Sequence, residues 1–131
     1  MGASRALPPV AVGLGLRPAE SAERILTALA EVRRDYRIVR LATVDRRATD
    51  IGVLEVAGTL AVPLLTFTAE ALSRVEVPHP ADRVSAVIGT PSVAEAAAIL
   101  SGRGPLIVPK RVVDGVVIAA VVVDMSAPHP A

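Results

Sequence analysis

Residues 10–44 read VAVGLGLRPAESAERILTALAEVRRDYRIVRLATV, and their periodicity decides the fold. Val10-Ala11-Val12-Gly13-Leu14 is a short apolar run with β-branched residues, introduced by Pro8 and Pro9, and reads as a buried strand. Gly13-Leu14-Gly15-Leu16-Arg17-Pro18 breaks it. From Pro18 to about Arg34 the period turns helical: Ala22, Ile25, Leu26, Leu29 and Val32 fall on one face. Glu20 and Glu23 come early and Arg33 and Arg34 late, as the helix dipole favours. Ile38 to Thr43 reads as a second strand. A strand, a helix and a strand in succession form a crossover unit, whose two strands run parallel.

Downstream, Val44 to Asp50 is a polar turn. Ile51 to Ala61 is predicted helical with Ile51, Leu54 and Val53 inward, although Gly52 and Gly58 are poor helix formers. Leu64 to Phe67 is a third strand, and Thr68 caps a short helix from Ala69 to Val75. Val77-Pro78-His79-Pro80 is a rigid loop and Ala81 to Ile88 a further helix. Ser92-Val93-Ala94-Glu95 has the form of a capping box, Ser92 at the N-cap, for a helix through Leu100. The small residues Ala94 to Ala98 suggest that this helix approaches the sheet closely. Leu106 to Val113, then Asp114-Gly115, then Val116 to Val123 signal a hairpin with a type I′ turn. Pro109 assigns its first strand to a sheet edge, a strand start or a bulge. The expected fold class is α/β: a three-layer α/β/α sandwich with a mixed sheet, early strands parallel, closed by a C-terminal β-hairpin. Residues 1–9 form a flexible N-terminal segment, 10–124 a single domain and 125–131 a tail.

Composition narrows the function. At 131 residues the chain holds one domain. Tyr36 and Phe67 are its two aromatic residues, so there is no platform for stacking bases and no cage for a quaternary ammonium. There is no cysteine, and the two histidines, His79 and His129, each sit between prolines. Thiol chemistry is therefore excluded, no Ser/His/Asp triad is credible, and an all-protein metal site lacks ligands. The expectation is no metal and no cofactor of its own. Fourteen basic residues against thirteen acidic give a net charge of +1, without the basic excess of a duplex binder. The longest apolar run, Val116 to Val123, is too short for a membrane helix, and no secretory signal is visible. A cytoplasmic protein with neither nucleic-acid nor membrane partners is expected.

Three stretches carry potential chemistry. Gly13-Leu14-Gly15 lies between a strand and a helix, where backbone amides and the helix dipole can hold an anion and Arg17 would add charge. On the residues alone a tight turn that needs glycine is the favoured reading, and the loop lacks the third glycine of a dinucleotide fingerprint. Thr43, Asp45, Arg47 and Asp50 follow the second strand, at the carboxyl edge where open α/β sheets bind ligands. They can transfer protons, hold a ligand's polar groups or pair with one another, and Asp50 is also a plausible N-cap. Gly89, Thr90 and Ser92 lead into a helix N-terminus, an ordinary structural arrangement. Lys110, the single lysine of the chain, also reads as edge protection for a strand.

Taken in order, GLGLR at Gly13 to Arg17, ATVDRRATDIGVL at Ala42 to Leu54, FTAEAL at Phe67 to Leu72, VPHP at Val77 to Pro80, GTPSVAEAAAIL at Gly89 to Leu100 and VPK at Val108 to Lys110 resemble the family of CobE and the C-terminal domain of CbiG, proteins of cobalamin biosynthesis. The resemblance spans about Val10 to Val123. It sets the glycine loop on Gly13, Gly15 and Arg17. A T-[IVL]-D-x-K pattern falls on Thr43, Asp45 and, with arginine in place of lysine, Arg47, with Asp50 after it. A G-x-x-[SA]-V-[AS]-E stretch falls on Gly89, Ser92 and Glu95, and V-P-K ends on Lys110. His79-Pro80-Ala81 departs from the usual Asn-Pro-Ser, and Ile118 replaces a common threonine.

The resemblance implies a role with corrin-ring precursors, macrocycles edged by acetate and propionate carboxylates. A CobE-like accessory or carrier binding a tetrapyrrole intermediate is one expectation. A hydrolase that opens the lactone of (cobalt-)precorrin-5A and releases acetaldehyde, as CbiG does, is the other, and a subunit active only with another pathway enzyme is the third. The chain begins at the position of the C-terminal domain of CbiG, which favours the first. Arg17, Arg47 and Lys110 would meet carboxylates, Gly13, Gly15, Thr43, Asp50, Gly89, Thr90 and Ser92 would complete the binding surface, and Asp45 or Glu95 would act as base. Cobalt would arrive only inside the corrinoid.

Overall fold

The run at Val10 lies at the centre of the sheet. The computed structural model describes residues 7–75 and 90–123, with the backbone alone for 90–92. The expectations for residues 1–6, for the loop at Val77–Pro80, for the helix at Ala81–Ile88, for Gly89 and for the tail lie outside the described residues. Strand β1 (Pro9–Gly15) is joined through helix α1 (Ala22–Asp35) to β2 (Arg37–Val44), and through α2 (Ile51–Leu60) to β3 (Leu64–Phe67). A short α3 (Ala69–Ser73) follows. Helix α4 (Thr90–Gly102) then leads into β4 (Arg103–Val113) and β5 (Val116–Val123). The five strands lie in the order β3-β2-β1-β5-β4. β1, β2 and β3 are parallel, and β5 runs antiparallel to both β1 and β4. The fold is the expected mixed α/β sheet with a C-terminal hairpin.

Each face of the sheet is covered because its strands are apolar on both sides. Val10, Val12, Leu14, Leu41, Val116, Ile118 and Ala120 pack with Ile25, Leu29, Val53 and Val56 of α1 and α2. On the other face Ala11, Val117, Ala119, Val121 and Val123 meet Ala94 and Ala98 of α4. Nearby, Ala42, Val44 and Leu72 meet Ala96 and Ala97. Small residues decide the spacing on this second face. A Cβ on Gly13 would run into the Ala94 carbonyl oxygen and lie 2.6 Å from the Ala98 amide nitrogen. The close approach suggested by the alanine run is therefore real, and it rests on the glycine beneath it.

Local details correct several expectations. α1 starts at Ala22, not Pro18: Ser21 is its N-cap, accepting from the Arg24 amide at 3.2 Å, and Ala19 has a left-handed φ of 61° that no helix accommodates. In α2, Ile51 and Leu54 face solvent, while Gly52, Val53, Val56 and Ala57 are buried. Gly52 sets that face, since a Cβ there would strike the carbonyl oxygen of Glu20. Ser92 is not an N-cap, because α4 already begins at Thr90. The turn at Asp114-Gly115 has φ values of 52° and 84°, the two positive angles a type I′ turn requires. β4 is an edge strand that takes eleven residues alongside the eight of β5. Its register shifts after Arg103, Leu106 and Val108, the last step passing Pro109.

Two glycine substitutions should separate packing from helix propensity. Gly13→Ala is expected to destabilise the domain by about 3 kcal/mol or more, since backbone of α4 must move. Gly58→Ala meets no atom within 4 Å and should stabilise it by about 0.5–1 kcal/mol. Urea denaturation of the two variants beside wild type measures both signs.

Candidate functional site

The carboxyl ends of β1, β2 and β3 share one edge with the β4–β5 turn, because Gly15 pairs with Val117 and Val44 with Phe67. α4 runs antiparallel to β1: Ala94 lies over Gly13, and Gly102 lies beside Ala11. Its first turn therefore points to this same edge. Thr43 ties the two central strands together there. Its buried hydroxyl donates to the Leu14 carbonyl at 2.8 Å, fixing how the two loops leave the sheet.

Beyond Thr43, Asp45–Arg47 form a single 3-10 turn. Asp45 and Arg46 are exposed, and among the described residues neither side chain has a hydrogen bond or ion pair. Arg47 and Asp50 are paired instead, at 3.0 Å, with their side chains 13% and 20% exposed. The same Oδ2 of Asp50 accepts the Ala19 amide at 3.3 Å. Asp50 does occupy the N-cap position of α2, but its carboxylate makes no capping bond, being committed to Arg47 and the β1–α1 loop.

Arg17 projects from that loop across the hairpin turn. Its guanidinium atoms lie 3.6–3.8 Å from where a Cβ on Gly115 would be, which places them beside the turn. It is exposed and has no ion pair among the described residues. The neighbouring Arg24 is shared between Asp114 and Glu20, at 3.8 Å from each.

Glu95 and Lys110 stand apart from this edge. Glu95 is fully buried, and its Oε2 accepts the backbone amide of Lys110 at 2.8 Å. The contact falls within the β4 bulge, where Pro109 and Lys110 together lie opposite Ala119. A bulge leaves an amide without a ladder partner, and the carboxylate supplies one. The acid of the capping-box pattern at Ser92 and Glu95 therefore reaches across to a strand. Of the remaining residues singled out in the sequence, Gly13 lies beneath α4, and Gly15 is buried at the end of β1. Thr90 and Ser92 are placed by their backbone in the first turn of α4, and Gly89 is outside the described residues. Sequence reading missed Ala19, Arg46 and the Asp114-Gly115 turn as neighbours of this edge. The doubled arginine after Asp45 was the one local signal for Arg46.

Surface concavities among the described residues lie elsewhere. One of about 410 Å³ lies between α1 and β4, lined in part by Glu31, Tyr36 and Arg111. Another of about 610 Å³ is lined in part by Leu7, Arg33, Arg37 and Leu60, where α1 and α2 end. Among the described residues no cluster of three His, Cys, Asp or Glu is placed to hold a metal ion, and no helix is long and apolar enough to cross a membrane.

The family profile described as Cobalamin synthesis G C-terminus matches residues 10–121. The chain belongs to that family. Its fold is shared with the cobalamin biosynthesis protein chiG from Agrobacterium tumefaciens, at 27% identity and a TM-score of 0.67, covering 88% of this chain and 98% of that one. CobE, a protein from the cobalamin (vitamin B12) biosynthetic pathway, aligns at 26% identity and a TM-score of 0.64, covering 94% and 98%. A cobalamin biosynthesis protein G homolog from Sulfolobus solfataricus has the same fold at 20% identity and a TM-score of 0.70. The match covers 89% of this chain and 37% of that one. No curated protein matches the chain. Family membership assigns it a role in cobalamin biosynthesis.

The Glu95 contact yields a test by substitution. Glu95→Ala should cost about 1–3 kcal/mol and speed hydrogen exchange at the Lys110 amide. Lys110→Ala keeps that amide and should cost under about 0.5 kcal/mol. Denaturation combined with amide exchange compares them.

Proposed function

We propose that this domain binds a corrin-ring precursor at the carboxyl edge of its sheet, in a CobE-like accessory or carrier role. The observation that carries this reading is Arg17, an exposed guanidinium beside the hairpin turn with no carboxylate partner among the described residues. A macrocycle rimmed by acetates and propionates offers the carboxylates a guanidinium takes in bidentate fashion. Arg46, exposed on the adjacent loop, adds a second cation. Thr43, Asp50 and the first turn of α4 shape the edge around them. Cobalt, where present, enters inside the ring as cargo, since the sequence has no cysteine and its two histidines lie between prolines.

Asp45 favours a second reading, hydrolysis of the precorrin-5A lactone with release of acetaldehyde. Of the acids weighed as base it is the exposed one, on the loop after β2, whereas Glu95 is buried. A free carboxylate between a strand end and two arginines can take a proton from an attacking water.

Titration with cobalt-free and cobalt-containing corrin precursors should give a saturable change in their absorption spectra. No change with any of them overturns corrinoid binding. Incubation with the lactone intermediate decides the second reading: acetaldehyde released by wild type but not by Asp45→Asn makes the domain a hydrolase, and no release by wild type leaves the carrier role.

A further inference from the structure

The β1–α1 loop is held in a conformation its own sequence does not favour. Ala19 adopts φ 61°, a left-handed angle costly for any residue with a Cβ. Such a residue persists only where its surroundings over-determine it. Two contacts do so here, both from the segment after β2. Asp50 accepts the Ala19 amide, and α2 presses its first turn against the loop at Gly52, which touches the Glu20 carbonyl. Arg47 in turn holds the Asp50 carboxylate in place at 3.0 Å.

We propose that Asp50 is a positioning residue whose carboxylate, steadied by Arg47, clamps the turn at Ala19 and so presents Arg17 as the guanidinium that receives a ligand carboxylate. The link between clamp and presented group is short and stiff. Pro18 separates them, its ring fixing its own φ and restricting Arg17 before it to extended backbone. With Ala19 anchored, the Cα of Arg17 has little freedom, and its guanidinium lies beside Gly115 of the hairpin turn. Arg24 engages the Asp114 carboxylate, the acid on that turn, which leaves Arg17 unneutralised among the described residues. The arginines at this edge thus divide their labour: Arg47 is structural and Arg17 faces outward.

The clamp stands on geometry alone. The identity of the ligand rests on the corrinoid-binding reading, so the test has two independent arms. The first needs no ligand: in Asp50→Ala the Ala19 amide should exchange faster, and the side-chain Nε–H resonance of Arg17 should shift. An unchanged Arg17 resonance overturns the clamp whatever the protein binds. The second arm uses hydrogenobyrinic acid, a cobalt-free corrin polycarboxylate, as probe. Arg17→Ala should weaken it by about 10- to 100-fold, the worth of a hydrogen bond to a charged group. Asp50→Ala should also weaken it in wild type but produce no further loss in an Arg17→Ala background, since both act through one guanidinium. Ala19→Gly, which removes the penalty on the left-handed angle, should restore part of the affinity lost in Asp50→Ala. Equal losses from Asp50→Ala in both backgrounds would mean that Asp50 acts otherwise, and would overturn the proposal. No binding of the probe to wild type removes the corrinoid reading and leaves the clamp to the first arm.

Discussion

The contact between α4 and β1 at Gly13 governs the geometry of the domain. A helix normally stands off a sheet by the length of the side chains between them. Here the α4 backbone rests on a strand residue with no side chain, and Ala94 and Ala98 keep the helix side of the contact equally thin. Three features depend on that closeness. The alanine run becomes a packing surface and not merely a helix-favouring composition. Glu95, one residue from Ala94, comes near enough to β4 to bond the Lys110 amide. The first turn of α4 reaches the sheet edge beside the loops after β1 and β2.

Glu95 also shows how this edge strand is accommodated. β4 carries Pro105 and Pro109, neither of which can donate to a ladder, and its repeated register shifts bend it relative to β5. A regular edge strand would invite further strand pairing, whereas a bulged one with prolines and a lysine does not. The irregularity leaves an amide in need of an acceptor, and a buried carboxylate from the opposite layer fills that need. The cost of burying Glu95 is thereby tied to the shape of β4.

Legibility in the sequence followed the range of the interactions involved. The strands, α1 and the hairpin were readable because alternation, helical period and the Asp114-Gly115 pair act within a few residues. The buried face of α2 was not. Ile51 and Leu54 are the larger side chains, but Gly52 must meet the Glu20 carbonyl, a contact across more than thirty residues that turns them outward. The start of α1 was misplaced because Ala19 adopts an angle its type disfavours, and the acceptor that holds it, Asp50, lies in another loop. At the candidate site the cluster after β2 was visible as a cluster. Its internal pairing was not, since acids and bases at such spacing serve solvent, ligand or one another with the same letters.

That pairing changes how the charge of the molecule should be read. A net charge of +1 suggests a neutral surface, and a count of arginines near the carboxyl edge suggests a uniformly basic one. Neither describes the edge. Arg47 is cancelled by Asp50, and Arg24 lies between Glu20 and Asp114. Arg17 and Arg46 stand exposed without acids of their own among the described residues. What matters for an anionic ligand is therefore which guanidiniums remain uncommitted after the fold has used the others. In a domain with two aromatic residues, a macrocycle bound as proposed would meet Ala, Val and backbone in place of stacking rings. Affinity and orientation must then come chiefly from charge placed at fixed points, and fixing those points requires rigid loops. A left-handed alanine, held by a carboxylate that is itself held by an arginine, provides such rigidity where glycine would have left the loop free.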